Sequence, residues 1–408
     1  MDSGIVRLEL APPMTLGRRL QYAFLSLFLG EGGSSLEITG DYAIIGSRER
    51  FLEKVNESIG LITSSMKWGR TASSECDVTV SGINCCDLDA GPKFYVAGTS
   101  DYLVASNAGL DICKYRNSKG EYTTAWTHSA LSYALKVIEE GGPLGGEKKY
   151  AIPILAKSTL FSGVRGAKRV EVKELYIDID TLGSILLGGA IAFLGRQKPY
   201  SGGNQKPLEF YVIPDTPNGY YSLMRSIAAT GGLQANIAAF ASTLSRELNT
   251  SLEVGLMLAL ARRLYEYGRK ASEFGRSASA SARVFTVTVG KNRPMVRGGL
   301  PLSLVMYESY SESTIKLLSA LSFTAIKAKG RRGGGGEVNL DTVVSNCIEG
   351  LYLQTLSPCN GDYVYNCTRD LLMASSTDKL DIDTVGMMRA LIDRLVYDYR
   401  KRIARRCR

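Results

Sequence analysis

Two aspartates separated by a single residue are the first candidate for chemistry in this sequence. Asp178 and Asp180 lie at the end of a strand expected from Val170, and alternate residues of a strand point to the same face. Two carboxylates on one face can hold a divalent metal ion. The same pair can instead cap the helix expected to begin at Thr181, and no third ligand lies near it. We favour capping, and a metal-dependent nuclease that uses Asp178 and Asp180 remains an alternative.

The other components of common catalytic sites are missing from the sequence. His128 is the single histidine, and its place in an expected helix favours a structural role over a catalytic one. Gly141 and Gly146 have the spacing of a phosphate-binding loop, but Glu147 stands where that loop requires lysine. No Gly-x-Ser-x-Gly elbow and no Cys-x-x-Cys pair occurs. We therefore predict no catalytic residue, no metal site and no cofactor, and expect that the protein is not an enzyme.

Basic residues in the second half of the chain indicate a different chemistry, the binding of phosphates. Arg262, Arg269 and Arg276 recur every seven residues, which places them along one side of a helix, and further cations follow in two later clusters. Several separate clusters in one half of a chain favour nucleic-acid contact over a merely solvated surface. The predicted nucleic-acid-binding residues are Arg262, Arg263, Arg269, Lys270, Arg276, Lys291, Arg293, Arg297, Lys327, Lys329, Arg331 and Arg332.

The stretch from Lys327 to Gly336 joins four cations to four consecutive glycines. Glycine-rich segments bend freely and expose their backbone N–H groups, so the stretch fits either a solvated linker or a mobile loop that contacts nucleic acid. The neighbouring basic clusters favour the loop.

A last basic cluster closes the chain. Its members are Arg400, Lys401, Arg402, Arg405, Arg406 and Arg408. Cations in the last turn of a helix also complement the helix dipole. For that reason we do not include the cluster among the predicted binding residues.

Composition and charge suggest how the chain is divided. A length of 408 residues with 45% hydrophobic residues allows about two to three domains with large cores. Residues 1–215 contain 23 Lys+Arg and 24 Asp+Glu, whereas residues 216–408 contain 26 and 16. We therefore predict an α+β protein, with a mixed α/β domain at 1–215 and a mainly helical basic domain at 216–408 that carries a small β insertion near 283–297. Such an asymmetry of charge suggests a polyanionic partner.

Hydrophobic periodicity and turn residues predict the individual elements. The expected helices are Leu16–Phe28, Ser47–Met66, Thr123–Glu140, Leu182–Leu194, Tyr220–Ala229, Gln234–Leu248, Leu252–Phe274, Leu302–Ile326, Val338–Leu356, Asn366–Met373 and Ile382–Ile403. The expected strands are Ile5–Leu10, two within Leu36–Ile45, Val78–Ile83, Lys93–Val96, Tyr102–Ser106, Tyr150–Leu155, Val170–Ile179, Leu208–Ile213 and Arg283–Val289.

The sequence also bears on location. No apolar run reaches the roughly 18 residues that span a bilayer, and the first ten residues lack the pattern of a signal peptide. We expect a cytoplasmic protein without membrane contact. The default for its eight cysteines is then the free thiol, although the cytoplasm of a thermophile permits disulfides.

In its organisation the chain resembles the large subunit of the archaeal type I-A CRISPR interference complex, archaeal Cascade. The resemblance lies in the mixed first half, the basic helical second half, the lack of catalytic residues and the Gly-rich basic loop. It also lies in the stretches Leu16-Gly17-Arg18-Arg19 to Leu29-Gly30-Glu31, Leu208–Pro214 and Tyr220–Phe274. It covers most of the chain loosely, and none of these stretches is a diagnostic motif.

The resemblance implies a non-catalytic subunit at the 5′ end of the crRNA. Such a subunit helps to recognise the protospacer-adjacent motif of target DNA, binds the displaced strand and helps to recruit a helicase-nuclease, while the guide RNA supplies sequence specificity. The implied partners are crRNA, target DNA, the other Cascade subunits and the helicase-nuclease. A crRNA-coating backbone subunit of the same kind of complex is an alternative, and a scaffold whose basic half binds an acidic protein is another.

Overall fold

The computed structural model describes the chain at residues 4–13, 15–29, 36–65, 67–68, 74–75, 79–80, 83–84, 88–89, 100–110, 114–116, 122–123, 126–153, 156, 175–197, 208–217, 240–241, 243–266, 282–288, 295–301, 305–331, 339–377 and 380–407. Small antiparallel sheets and helices occur together in the N-terminal part, and the C-terminal part is mainly helical. The predicted α+β class is confirmed.

The chain forms two compact units. Unit 1 consists of Met1–Ala235 and Gly275–Leu302, and unit 2 consists of Asn236–Phe274 and Ser303–Arg408. The predicted boundary at residue 215 falls inside unit 1. The strand expected near 283–297 also belongs to unit 1, because it pairs with a strand of the N-terminal part and not with the helices that flank it in sequence.

Unit 1 combines helices with short strands. Its helices are α1 (Leu16–Leu25), which a 3₁₀ turn at Ser26–Leu29 extends, α2 (Arg48–Ser65), α3 (Ser100–Asn107), α4 (Trp126–Glu139) and α5 (Ile179–Ala192). Its strands are β1 (Val6–Glu9), β2 (Leu36–Thr39), β3 (Tyr42–Ile45), β4 (Lys67–Trp68), β5 (Ser74–Glu75), β6 (Thr79–Val80), β7 (Ile83–Asn84), β8 (Leu88–Asp89), β9 (Lys114–Arg116), β10 (Tyr122–Thr123), β11 (Tyr150–Ala151), β12 (Tyr176–Ile177), β13 (Phe193–Gln197), β14 (Leu208–Pro214), β15 (Ala282–Thr288) and β16 (Met295–Pro301).

Two sheets hold the longer strands of unit 1. One has the order β1-β3-β2, and the other has the order β13-β14-β15-β16, with antiparallel neighbours throughout. Phe210 and Val212 of β14 alternate with Tyr211 and Ile213, and all four are buried. A strand that is buried on both faces reads as a continuous apolar run, which is why Leu208–Ile213 was predictable from sequence.

Helices α1 and α5 pack closely in the core of unit 1. Gly188 of α5 lies against the carbonyl oxygen of Leu20, where a Cβ atom would overlap that oxygen. The buried Gln21 side chain accepts a hydrogen bond from Ala11 N at 2.7 Å and donates one to Ser184 Oγ at 2.9 Å. Trp126 of α4 donates its indole N–H to Leu186 O at 2.8 Å. Small residues on α5 and satisfied polar groups therefore fix how these three helices pack.

Unit 2 is built from helices. They are α6 (Leu252–Glu266), α7 (Val305–Ser309), α8 (Glu312–Arg331), α9 (Leu340–Leu356), α10 (Asp362–Ser375) and α11 (Ile382–Asp398), followed by a π-helical turn at Tyr399–Ile403 and a 3₁₀ turn at Ala404–Cys407. A disulfide between Cys347 and Cys367 joins α9 to α10. The expectation of free thiols is wrong for this pair.

Several predicted elements differ from the observed ones. Tyr102–Ser106, expected as a strand, lies in the helix α3, because a short apolar run does not distinguish the two conformations. Strand β16 was not predicted, since its centre contains Gly298 and Gly299. The expected strand at Lys93–Val96 and the helix at Tyr220–Ala229 lie outside the described residues.

Among the helices that the structure describes, none is long and apolar enough to cross a membrane.

Candidate nucleic-acid interface

The structure describes only part of the predicted binding set. The side chains of Arg262 and Lys327 are described, and four further residues lie in described backbone elements, namely Arg263 in α6, Arg297 in β16, and Lys329 and Arg331 in α8. The others lie outside the described residues, namely Arg269, Lys270, Arg276, Lys291, Arg293 and Arg332.

Arg262 is held within unit 2. Its guanidinium carbon lies 5.3 Å from the ring centroid of Phe240 and 5.6 Å from that of Phe323, and the two rings are 5.1 Å apart. A guanidinium at this distance from an aromatic face is attracted by the quadrupole of the ring. The side chain is half-buried, so at least this member of the predicted stripe contributes to packing as well as to charge.

The basic part of the stretch from Lys327 to Gly336 is helical. Helix α8 continues to Arg331, five residues beyond the predicted end at Ile326, because lysine, alanine and arginine favour helix and cations are stabilised near a helix C-terminus. Lys327 is exposed. Residues 332–338 lie outside the described part of the chain. The expectation of a mobile loop or a linker from Lys327 onward is therefore wrong for Lys327–Arg331, which are helical.

The largest exposed group of cations in the described part of unit 2 lies on α11 and the two turns that follow it. We call it the C-terminal basic surface and define it as Arg389, Arg394, Arg400, Lys401 and Arg405. Met388, Leu391 and Leu395 form the buried face of the same helix, so the cations occupy the opposite, solvated face. None of the five makes a hydrogen bond or an ion pair with another described residue.

Contacts at both ends hold α11 in place. At its start, Asp381 accepts hydrogen bonds from Thr384 N at 2.8 Å and from Thr384 Oγ1 at 2.7 Å. These bonds lower the pKa of Asp381, because they favour the ionised carboxylate. At its end, the fully buried Asp398 accepts from Ser311 N at 2.7 Å and from Thr314 Oγ1 at 2.5 Å, at the start of α8.

Arg402 differs from the cations around it. Its Nη1 donates to Tyr310 O at 3.2 Å and its Nε lies 3.6 Å from Asp398 Oδ1. Tyr265 also donates to Tyr310 O, at 2.6 Å. The buried hydroxyl of Tyr310 donates to Leu351 O at 2.9 Å, and burial raises the pKa of this tyrosine. Arg402 therefore anchors the end of α11, and the five cations of the C-terminal basic surface remain available to solvent.

An aromatic side chain lies among these cations. Tyr397 is 52% exposed, and it follows Arg394 by three residues and precedes Arg400 by three. Residues three or four apart on a helix are neighbours on its surface. Asp393 is an exposed acidic residue between the cations, and Asp383 is another near the start of the same helix. The face thus presents five cations and a tyrosine with one nearby carboxylate, and sequence reasoning could have found it from the exposed positions of α11.

The two aspartates considered for metal binding have structural partners. Asp178 is the N-cap of α5 and accepts from Thr181 N at 2.6 Å, which confirms the capping interpretation for this residue. Asp180 lies in the first turn of α5, not on the face of a strand. It accepts from Tyr133 Oη at 2.8 Å, and burial together with this carboxylate raises the pKa of Tyr133.

Asp180 also binds the backbone of the glycine-rich loop at residues 141–146 and so accounts for the conformation of that loop. Its two carboxylate oxygens accept from Leu144 N at 3.0 Å and from Gly145 N at 2.8 Å. Gly141, Gly145 and Gly146 have positive φ angles, which glycine adopts without strain. The backbone N–H groups of this loop bind an internal carboxylate. Among the described residues, no group of three or more His, Cys, Asp and Glu side chains could hold a metal ion.

Seven cations of unit 1, some of them buried or half-buried and some exposed, have partners within the unit. Arg19 lies 2.5 Å and Arg283 3.0 Å from the carboxylate of Asp215, and Lys149 lies 3.0 Å from Glu9. Four more also have partners: Arg18 pairs with Asp41, Arg7 stacks on Tyr42, Arg48 donates to Glu140 O, and Lys148 donates to Asn107 O. His128 is buried in α4, which favours the structural role expected for it.

Comparison of the chain with protein-family models, with curated proteins and with solved structures finds no match. No residue role is therefore taken from a relative.

Proposed function

We propose that this chain is a non-catalytic, nucleic-acid-binding subunit of a cytoplasmic CRISPR interference complex of the archaeal type I-A kind. In that complex it would contribute to recognition of target DNA and its protospacer-adjacent motif, bind the displaced strand and recruit the helicase-nuclease. The resemblance in organisation and in the stretches at Leu16–Glu31, Leu208–Pro214 and Tyr220–Phe274 supports this assignment. Its partners would be crRNA, target DNA and the other Cascade subunits.

One observation carries the nucleic-acid part of the proposal. In unit 1, Arg19, Lys149 and Arg283 pair with carboxylates, whereas the five cations of the C-terminal basic surface and Lys327 of unit 2 have no partner among the described residues. An unneutralised cationic surface attracts a polyanion, and the release of counterions from that polyanion favours binding. The excess of 26 Lys+Arg over 16 Asp+Glu in residues 216–408 points the same way.

Salt-dependent binding tests this part directly. We expect the purified chain to bind labelled duplex and single-stranded DNA, with an affinity that falls steeply between about 50 and 200 mM salt. Replacing Lys327, Lys329, Arg331 and Arg332 with alanine should weaken binding about equally for all sequences and reduce the salt slope by up to about four. Absence of binding at the lower salt concentration would contradict the proposal and favour the scaffold alternative.

A cleavage assay separates the proposal from the nuclease alternative. The proposal predicts no cleavage of DNA or RNA with Mg²⁺ or Mn²⁺, because Asp178 caps a helix and Asp180 binds the loop that contains Leu144 and Gly145. Cleavage by the wild-type chain that Asp178→Ala abolishes would overturn it. Asp393→Ala, an exposed aspartate of unit 2, is the matched control for the loss of one carboxylate.

Isolation from the native source tests the assignment to CRISPR. We expect the tagged chain to co-purify with a crRNA of repeat-spacer sequence and with backbone subunits of the complex. Recovery of the chain alone, or with nucleic acid of unrelated sequence, would contradict the assignment to Cascade and leave general nucleic-acid binding in place.

In the salt-dependence experiment, an unchanged salt slope in the variant with Lys327, Lys329, Arg331 and Arg332 replaced by alanine would exclude only the stretch from Lys327 to Arg332 as a contact.

A further inference from the structure

We infer that the C-terminal basic surface, together with Tyr397, binds a single strand of nucleic acid. This inference rests on the proposed function and gives it a site outside the twelve residues predicted from sequence. The cations of the surface contact phosphates, and the ring of Tyr397 stacks on a base. The occupant is a DNA or RNA strand, because the two share the phosphates and base faces that the surface recognises.

The arrangement of the cations suits a strand that follows the helix. From Arg389 to its end at Asp398, α11 rises about 14 Å, and at about 100° per residue Arg389, Arg394 and Tyr397 lie within about 140° of its circumference. Arg400, Lys401 and Arg405 follow on the π-helical and 3₁₀ turns that continue the helix. The opposite side contains the buried residues Met388, Leu391 and Leu395. The result is a row of positive charge about as long as several nucleotides.

Tyr397 distinguishes a single strand from a duplex. The ring of Tyr397 is 52% exposed and lies three residues from both Arg394 and Arg400, so it is accessible to a ligand that the cations bind. In a duplex the faces of the bases are stacked on one another, so a surface tyrosine meets only phosphates and sugars. In a single strand a base face is free, and stacking on an aromatic side chain contributes to binding without sequence preference.

Helix-dipole complementation accounts for only part of this surface, because its effect is confined to the last turn. Arg402 is the residue whose guanidinium reaches the polar groups at the end of α11, through Tyr310 O and Asp398. Arg400, Lys401 and Arg405 are exposed and make no such contact with the described residues. Arg389 lies in the middle of α11, far from its C-terminus. The surface therefore carries more cations than complementation of the helix dipole uses, and the remaining cations are available to bind a ligand.

The test compares two kinds of variant in the full chain. In the charge variant, Arg394, Arg400, Lys401 and Arg405 are changed to glutamine, and its salt slope for a labelled single strand should fall by about three. In Tyr397→Ala the affinity for the single strand should fall about tenfold without a change in slope. Tyr397→Phe should bind like the wild type, because the phenylalanine ring also stacks. Duplex affinity should change little in Tyr397→Ala.

A control for the loss of positive charge uses two cations of unit 2 that already have partners. Lys316 lies 2.5 Å from Glu312 and Arg369 lies 2.8 Å from Asp370. The double variant Lys316→Gln, Arg369→Gln should bind the single strand like the wild type. Thermal unfolding by circular dichroism checks that every variant remains folded. We expect every variant to fold, because the substituted residues are exposed.

The outcomes separate the inference from the proposed function. Unchanged affinity in the charge variant, while the wild type binds, overturns the inference and leaves nucleic-acid binding elsewhere on the chain. A loss in the charge variant but none in Tyr397→Ala overturns the single-strand assignment in favour of a phosphate surface for duplexes. A wild type that binds neither form, but binds an acidic protein such as a polyglutamate-rich carrier, overturns both the inference and the proposed function.

Discussion

Arginines serve opposite purposes in the two units. In unit 1, Arg18 is buried, and its guanidinium donates to Ala11 O, Gly40 O and Asp41. In unit 2, Arg400 and Arg405 extend into solvent without a partner among the described residues. A buried cation must be satisfied internally, whereas an exposed cation can attract a distant charge. Net charge alone therefore does not locate a binding surface, and the local partners of each cation must be known.

The stretch that carries part of the resemblance illustrates this point. Leu16-Gly17-Arg18-Arg19 contains two adjacent arginines that could be taken for a phosphate-binding pair. Arg19 instead lies 2.5 Å from Asp215 in a partly buried cluster, where desolvation lowers the pKa of the guanidinium. Both arginines hold α1 against other parts of unit 1. If this stretch is a family feature, it is a feature of the fold and not of the ligand.

The largest expected effect is the loss of the Arg18 guanidinium. Arg18→Met should lower the free energy of unfolding by about 4 kcal/mol, because the carbonyl oxygens of Ala11 and Gly40 lose a charged donor in a buried setting. Urea unfolding followed by circular dichroism measures it. Arg7→Met is the matched control, since Arg7 is exposed over Tyr42, and it should change stability by less than about 1 kcal/mol. Equal effects of the two substitutions would contradict the assignment of Arg18 to the core.

A slightly smaller effect is expected at the buried carboxylate of unit 2. Asp398→Ala should lower the free energy of unfolding by about 3 kcal/mol, because Ser311 and Thr314 lose their acceptor and Arg402 loses its countercharge. Asp393→Ala removes an exposed carboxylate from the same helix and should change stability by no more than about 0.5 kcal/mol. The same urea titration compares the pair, and similar midpoints would show that Asp398 does not hold α11 to α8.

The smallest stability effect concerns the cap of α11 and depends on pH. Asp381→Ala should cost about 1 kcal/mol at neutral pH, through loss of the bonds from Thr384. The folded pKa of Asp381 lies below its ordinary value of 3.8. The stabilisation is therefore present above about pH 4 and is lost as the pH falls through the lowered folded pKa.

Unfolding of the wild type and the Asp381→Ala variant, compared at neutral and at acidic pH, checks this prediction. The difference in stability should shrink on acidification. A difference that grows as the pH falls would have the wrong sign for a carboxylate that is stabilised in its ionised form.

Local patterns in the sequence predicted much of the fold. Amphipathic periodicity identified α1, α2 and α11, and the serine before α2 does cap it, with Ser47 Oγ accepting from Arg50 N at 3.1 Å. Pairing between distant strands was not predictable in the same way. Arg283–Val289 read correctly as a strand, but its partner, β14, lies about 70 residues earlier in the chain. The pattern of a strand does not specify which strand it will join.

The site was only partly predictable for a related reason. A cation contributes one charge to a sequence count whether it binds Asp215, as Arg19 does, or projects into solvent, as Arg400 does. The twelve predicted residues were chosen by clustering, and the described member Arg262 proved to pack on Phe240 and Phe323. The C-terminal cations were left out of that set, because cations in the last turn of a helix also complement its dipole. Distinguishing these cases required the tertiary contacts of each side chain.

The most direct test of the central claim removes equal charge from the two units. One variant carries Lys54→Gln, Lys149→Gln and Arg283→Gln in unit 1, where each cation pairs with a carboxylate. The other carries Arg400→Gln, Lys401→Gln and Arg405→Gln in unit 2. The salt dependence of single-strand binding should fall by about two for the unit 2 variant and remain unchanged for the unit 1 variant. Equal decreases in both variants, or a decrease confined to unit 1, would contradict the claim that the unpartnered cations of the helical unit bind nucleic acid.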